Sequence, residues 1–206
     1  MKIIFHIFLF SLLFSLYQFK ENKTEDAIKA YKAVINTNPF KADAYVNLAI
    51  CYASIDDYGN ALSVLNNAKE KFPTNNLISK TLKEVQNDNV SNIMSNAASK
   101  YDSKDYKKAI SLYSSINPAT EDSLLGLAAS YQALNNYDKA IEYYNKAGEI
   151  NPKNAQIPYY IGYLYSEQQN WTEADKYLKK SVALDPNSEA KNLLSYVSQN
   201  MSISDL

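Results

Sequence analysis

The chain has 206 residues, 21 basic and 22 acidic side chains, and a formal net charge of −1. Its single cysteine and single histidine exclude an internal disulfide, a cysteine-based metal cluster and a paired-histidine site. Every basic residue is a lysine and none forms a basic stripe, which argues against a nucleic-acid partner and removes bidentate guanidinium capture of carboxylate or phosphate.

The first element in chain order is the run MKIIFHIFLFSLLFSLYQFK. After Lys2 no charge appears until Lys20, and the apolar core extends from Ile3 to about Tyr17. A short basic start and an apolar centre fit a secretory signal or a retained anchor in residues 1–20. That reading predicts a protein exported, or held in a membrane through residues 3–19. No A-x-A-like cleavage site follows. The other reading, which goes with a cytoplasmic protein, makes the run the first helix of a repeat with Ser15 in a small-residue slot. Its near lack of a polar side speaks against that.

From residue 22 the chain repeats itself. NKTEDAIKAYKAVINTNP ends at Pro39 and DDYGNALSVLNNAKEKFP at Pro73, thirty-four residues on. NNYDKAIEYYNKAGEINP ends at Pro152 and QNWTEADKYLKKSVALDP at Pro186, again thirty-four apart, while SKDYKKAISLYSSINP, ending at Pro118, is a contracted copy. A fixed period of this size signals a solenoid. Within a unit, Leu124, Leu127, Ala128, Tyr131 and Leu134 mark one apolar face of a helix. Asn135-Asn136 interrupts it, and Tyr137, Ala140, Ile141, Tyr144 and Ala147 mark a second helix that stops before Pro152. The turn is short enough to require an antiparallel pair. Ala128, Ala140 and Ala147 fall where helix backbones approach, and neighbouring copies hold Ala49, Ala61 and Ala68, then Gly162, Ala174 and Ser181.

Between Pro73 and the contracted copy lies extra chain. Ile78, Leu82 and Val85 predict an amphipathic helix there, with Lys83 in the slot that elsewhere is small. It suits an array end with a polar face. The chain then divides into blocks 21–88 and 89–201 joined near Asn87-Asp88-Asn89, or forms one array with a local irregularity. SEAKNLLSYVSQNM predicts a C-terminal capping helix, and residues 202–206 a tail. Four Asn-x-Ser/Thr sequons are accounted for by the abundance of asparagine, and Cys51 reads as a structural thiol.

On these residues the chain resembles the tetratricopeptide repeat family. Its pattern appears as Tyr45-x2-Leu48-Ala49-x2-Tyr52, Ala61-x3-Leu65, Pro73, and as Leu124-x2-Leu127-Ala128-x2-Tyr131, Ala140-x3-Tyr144, Pro152. The third copy is Pro158-x2-Ile161-Gly162-x2-Tyr165, Ala174-x3-Leu178, Pro186. The resemblance implies an all-α, right-handed superhelical solenoid of antiparallel helix pairs with a capping helix. It also implies a concave groove lined by the first helix of each pair, which binds an extended peptide or helix of another protein. The groove positions carried over are Asp43, Val46, Ile50 and Ala53; Asp122, Leu125, Ala129 and Gln132; and Gln156, Tyr159, Tyr163 and Ser166. Tyr159 and Tyr163 stand out, because the repeat pattern does not ask for tyrosine there. The alternative is that they pack on the capping helix or on Leu125 and Ala129. The family's carboxylate clamp is not expected, since Gly126 and Tyr160 stand where later copies would need polar groups like Asn47. No nucleophile–base pair, phosphate loop or cofactor motif is present, so the expected function is a non-enzymatic adaptor. A self-assembling homo-oligomeric scaffold and a regulatory subunit of an enzyme complex are the other readings.

Overall fold

The computed structural model describes residues 23–186 and 189–204, with side chains as far as Met201. The apolar run at residues 3–19 therefore lies outside the described residues. All regular structure among the described residues is helical. Residues 23–37 form α1, followed by α2 (Ala42–Ala53), α3 (Tyr58–Lys71), α4 (Asn76–Asp102), α5 (Tyr106–Ser114) and α6 (Glu121–Ala133). Then come α7 (Tyr137–Ile150), α8 (Gln156–Glu167), α9 (Trp171–Leu184) and α10 (Ala190–Ser204). The helices pair as α2/α3, α6/α7 and α8/α9, and α10 covers the last pair. This is the all-α solenoid of antiparallel helix pairs that the period predicts. The chain forms two compact units, Met1–Ser91 and Asn92–Leu206.

The turns α2–α3, α4–α5, α6–α7 and α8–α9 are built alike. One residue adopts a left-handed conformation: Asp56 (φ 60°), Lys104 (63°), Asn135 (55°) or Gln169 (58°). The next residue, Asp57, Asp105, Asn136 or Asn170, caps the second helix, its side chain accepting from the amide of Asn60, Lys108, Lys139 or Glu173. Its own N–H closes the first helix by donating to the carbonyl of Tyr52, Lys100, Tyr131 or Tyr165. A single pair of residues thus satisfies orphan groups of two helices. Two predictions follow from this turn. Replacing the Asn136 cap with alanine is expected to cost about 1 kcal/mol, measured by urea unfolding. Gln169→Asn is expected to stabilise by about 0.5–1 kcal/mol, because asparagine enters the left-handed region several-fold more readily than glutamine.

The small slots are closed. Ala49, Ala61, Ala68, Ala128, Ala140, Ala147 and Ala174 are all fully buried. Ser181 is equally buried, and its hydroxyl donates to the Ala155 carbonyl at 2.8 Å, which removes the cost of burying it. Gly162 marks a close approach: a Cβ there would lie 2.7 Å from Leu178 Cγ and 3.2 Å from the Ala174 carbonyl oxygen. Leu134, expected on an apolar face, is instead 41% exposed at the end of α6.

The extra helix departs from expectation. It does not stop near Asn87-Asp88-Asn89, because α4 continues for 27 residues through those three positions. Their side chains point outward or lie half-buried, where turn-favouring residues cost little. Ile78, Thr81 and Val85 bury the first half in the Met1–Ser91 unit, while Ala97 buries the second half in the other. Lys83 is exposed.

The expected localisation, exported or membrane-anchored, is corrected. Among the described residues no helix is long and apolar enough to cross a membrane. Only α4 has the length, and it carries Lys80, Lys83, Glu84, Asp88, Lys100 and Asp102, charges a hydrocarbon layer would not accept.

Candidate interaction surface

The groove positions fall on the first helices of the pairs, and the two units are taken separately. In the N-terminal unit, Asp43, Val46 and Ile50 lie on α2. Asp43 is exposed and Ile50 is half-exposed, at 50%. Val46 is buried in the same cluster as Ile78 on α4, so it is a core residue rather than a groove contact. Ala53 is half-buried. Cys51 is half-buried, and burial raises its thiol pKa, as fits an unreactive position.

In the C-terminal unit the positions lie on α6 and α8. Asp122 and Gln156 are exposed, Leu125, Ala129 and Gln132 half-buried, and Ser166 buried. Leu125 packs on the core that α6, α7 and α8 share. Gln132 is not a free groove donor–acceptor, because its Oε1 accepts from the Tyr144 hydroxyl at 3.1 Å. The Tyr144 ring, buried in α7, stacks on Tyr160 of α8 at 5.2 Å, and Tyr160 meets Tyr159 at 5.5 Å. Burial pushes the Tyr144 phenol pKa well up, with Tyr160 and Tyr101 adding to the shift. A continuous line from Gln132 through Tyr144 and Tyr160 to Tyr159 thus ties the faces of α6 and α8. A second tie runs from the inter-repeat loop, where the amides of Asn151 and Asn154 donate to the two oxygens of Glu121 at 2.9 and 2.6 Å.

Tyr159 and Tyr163 are both half-buried, by different neighbours. Tyr159 packs on the cluster formed by α9 and the capping helix α10, as the alternative reading allowed, and Tyr163 lies on the core shared with α6 and α7. Each phenol has a raised pKa. Burial is the first cause for both, followed by the Glu189 charge for Tyr159 and the Glu167 charge and hydrogen bond for Tyr163. The second half of α4 adds Met94 and Tyr101, both partly buried on the same core. Sequence reading missed them. The signal was present in the contracted copy: Lys104-Asp105-Tyr106 with Ala109 matches Asn135-Asn136-Tyr137 with Ala140.

Two crevices of about 350 and 330 Å³ open elsewhere. One is walled by Asn145, Gly148, Pro158, Ile161 and Tyr177, the other by Lys32, Ile35, Tyr45, Leu48 and Val64. These are the same repeat positions in two different copies, so the crevices are what successive second helices leave as they diverge over a first helix. Among the described residues no group of three His, Cys, Asp or Glu side chains could hold a metal ion.

Comparison with known proteins agrees with the repeat. Residues 12–76 and 133–195 each match a family model described as Tetratricopeptide repeat, together more than half of the chain. The first match begins inside the apolar run. Among curated proteins, the anaphase-promoting complex subunit CDC16 of Saccharomyces cerevisiae is 31% identical over 91 residues. That stretch is 43% of this chain and spans 11% of the relative's length. The Sgt2 TPR domain from Aspergillus fumigatus matches at a TM-score of 0.51 and 25% identity, over 56% of this chain and 81% of that one. The first TPR of Spaghetti (RPAP3), bound to the HSP90 peptide SRMEEVD, matches at 0.51 and 21%, over 55% and 93%.

Proposed function

Because the chain belongs to the tetratricopeptide repeat family, we propose that it is a non-enzymatic adaptor holding a segment of a partner protein against the first helices of its repeats. The observation that carries this is the pair Tyr159 and Tyr163. They sit at i, i+4 on α8, half-exposed, at positions where the repeat needs no aromatic ring. Half-exposed tyrosines on a rigid helix are good anchors: they bring a large contact area and lose little rotamer freedom on binding. Leu125 of α6 packs on the same core as Tyr163 and adds apolar surface. The peptide complex formed by a protein of the same fold supports the mode of binding.

The test is capture of native partners by the full chain and by the double variant Tyr159→Ala, Tyr163→Ala, with folding checked by circular dichroism. Loss of about tenfold or more in retained partner is expected, the effect of removing anchor residues worth about 1.4 kcal/mol or more. Unchanged capture by a folded variant would refute the assignment of the surface.

A further inference from the structure

The charges of the repeats are segregated by helix. In the C-terminal unit the second helices α7 and α9 carry Lys139, Lys146, Lys176, Lys179 and Lys180, balanced by acids on the same helices. The first helices α6 and α8 carry no basic residue at all, only Glu121, Asp122 and Glu167. Glu121 is engaged by Asn151 and Asn154, which leaves Asp122 and Glu167 as the outward charges of this face. Cations from the second helices also reach several aromatic rings. Lys146 lies over Tyr143 on α7 and Lys176 over Tyr177 on α9, while Lys139 of α7 reaches Tyr131 on α6, at 4.8–5.3 Å, so those rings already have a cation within reach. The phenols of α8 neighbour carboxylates instead: Glu167 follows Tyr163 by four residues on the same helix, and Tyr159 packs on the cluster holding Ala190, the residue after Glu189.

A phenol face next to a carboxylate is the arrangement that a lysine or arginine completes. The cation gains the ring quadrupole and the ion pair together, and its methylene stem covers apolar surface. An acidic segment would find carboxylates and no cation on α6 or α8, a like-charge juxtaposition that works against binding. We propose that the α6–α8 face of the C-terminal unit selects a partner segment carrying lysine or arginine between apolar residues, seated with its cations over Tyr163 and Tyr159 against Glu167 and Glu189. This rests on the adaptor reading above and names the chemistry of its ligand.

The probes are two short fluorescein-labelled peptides of equal length, with leucine at alternate positions and either lysine or glutamate between, titrated against the full chain by fluorescence anisotropy. The lysine peptide is expected to bind at least about tenfold tighter, a difference of about 1.4 kcal/mol. Glu167→Gln with Glu189→Gln is expected to remove most of that preference. Glu142→Gln with Glu149→Gln, the same charge change on α7, is expected to leave it intact. Equal weakening by both pairs would overturn the proposal, because it would mean attraction to net charge alone. So would equal or tighter binding of the glutamate peptide. If Glu167→Gln with Glu189→Gln changes nothing while the tyrosine substitutions abolish partner capture, the charge selection fails and the adaptor reading stands. If tyrosine substitution leaves capture unchanged as well, both fail.

Discussion

Leu178→Ala is expected to cost about 2–5 kcal/mol and to be among the most damaging single substitutions in the C-terminal unit. Leu178 is fully buried between α8 and α9, and the backbones around it are held by the Gly162 and Ala174 contacts, so the site cannot collapse to fill the void. Urea unfolding followed through Trp171, the only tryptophan and a residue of α9, reads the loss directly. Gly162→Ala alone is expected to cost about 1–3 kcal/mol by overpacking against Leu178. The two changes are coupled: with Leu178 shortened, the added methyl at 162 no longer meets Cγ and occupies part of the void. A double-mutant cycle should therefore show the pair costing at least about 1 kcal/mol less than the sum of the single variants. Strict additivity would mean that the close approach of α8 to α9 is not as described.

The second large effect is expected at Tyr144. Its ring is buried in α7, stacks on Tyr160 and joins the cores of three helices, so Tyr144→Ala should cost about 3–5 kcal/mol, as for other buried aromatic residues. Tyr144→Phe keeps the ring and removes only the hydrogen bond to Gln132. Because Gln132 is half-buried, water can take over its Oε1, and a cost of about 1 kcal/mol is expected. Thermal unfolding of the two variants separates packing from hydrogen bonding at one position.

The repeat is legible because packing forces its residues. Ala61, Ala140 and Ala174 recur since a larger side chain would not fit between the helices, and Pro39, Pro73, Pro152 and Pro186 recur since each ends a second helix. The turns were legible only in part. Asn135-Asn136 announces itself, but Lys104 and Gln169 adopt the same left-handed geometry without a residue type that signals it. The continuity of α4 was hidden for the opposite reason. Asn87-Asp88-Asn89 has the composition of a turn, yet tertiary packing on both sides, through Val85 and Ala97, keeps it helical.

For the surface, the positions carried over from the family could not register what covers them. Val46, Leu125 and Tyr159 share one repeat position, and each meets a different neighbour: Ile78 in one core, the α6–α8 core, and the α10 cap. Exposure at that position depends on contacts distant in sequence, which a single period does not encode. The localisation inferred from the apolar run failed in another way, since it rested on one segment's composition and nothing in the described helices supports it.

The most direct test of the adaptor reading is amide hydrogen exchange of the full chain, alone and with its captured partner bound. Partner-dependent protection should concentrate in α6 and α8, strongest around Leu125 and Tyr163, and leave the outer faces of α7 and α9 unchanged. Protection confined to α7 and α9, with α6 and α8 exchanging as in the free chain, would contradict it.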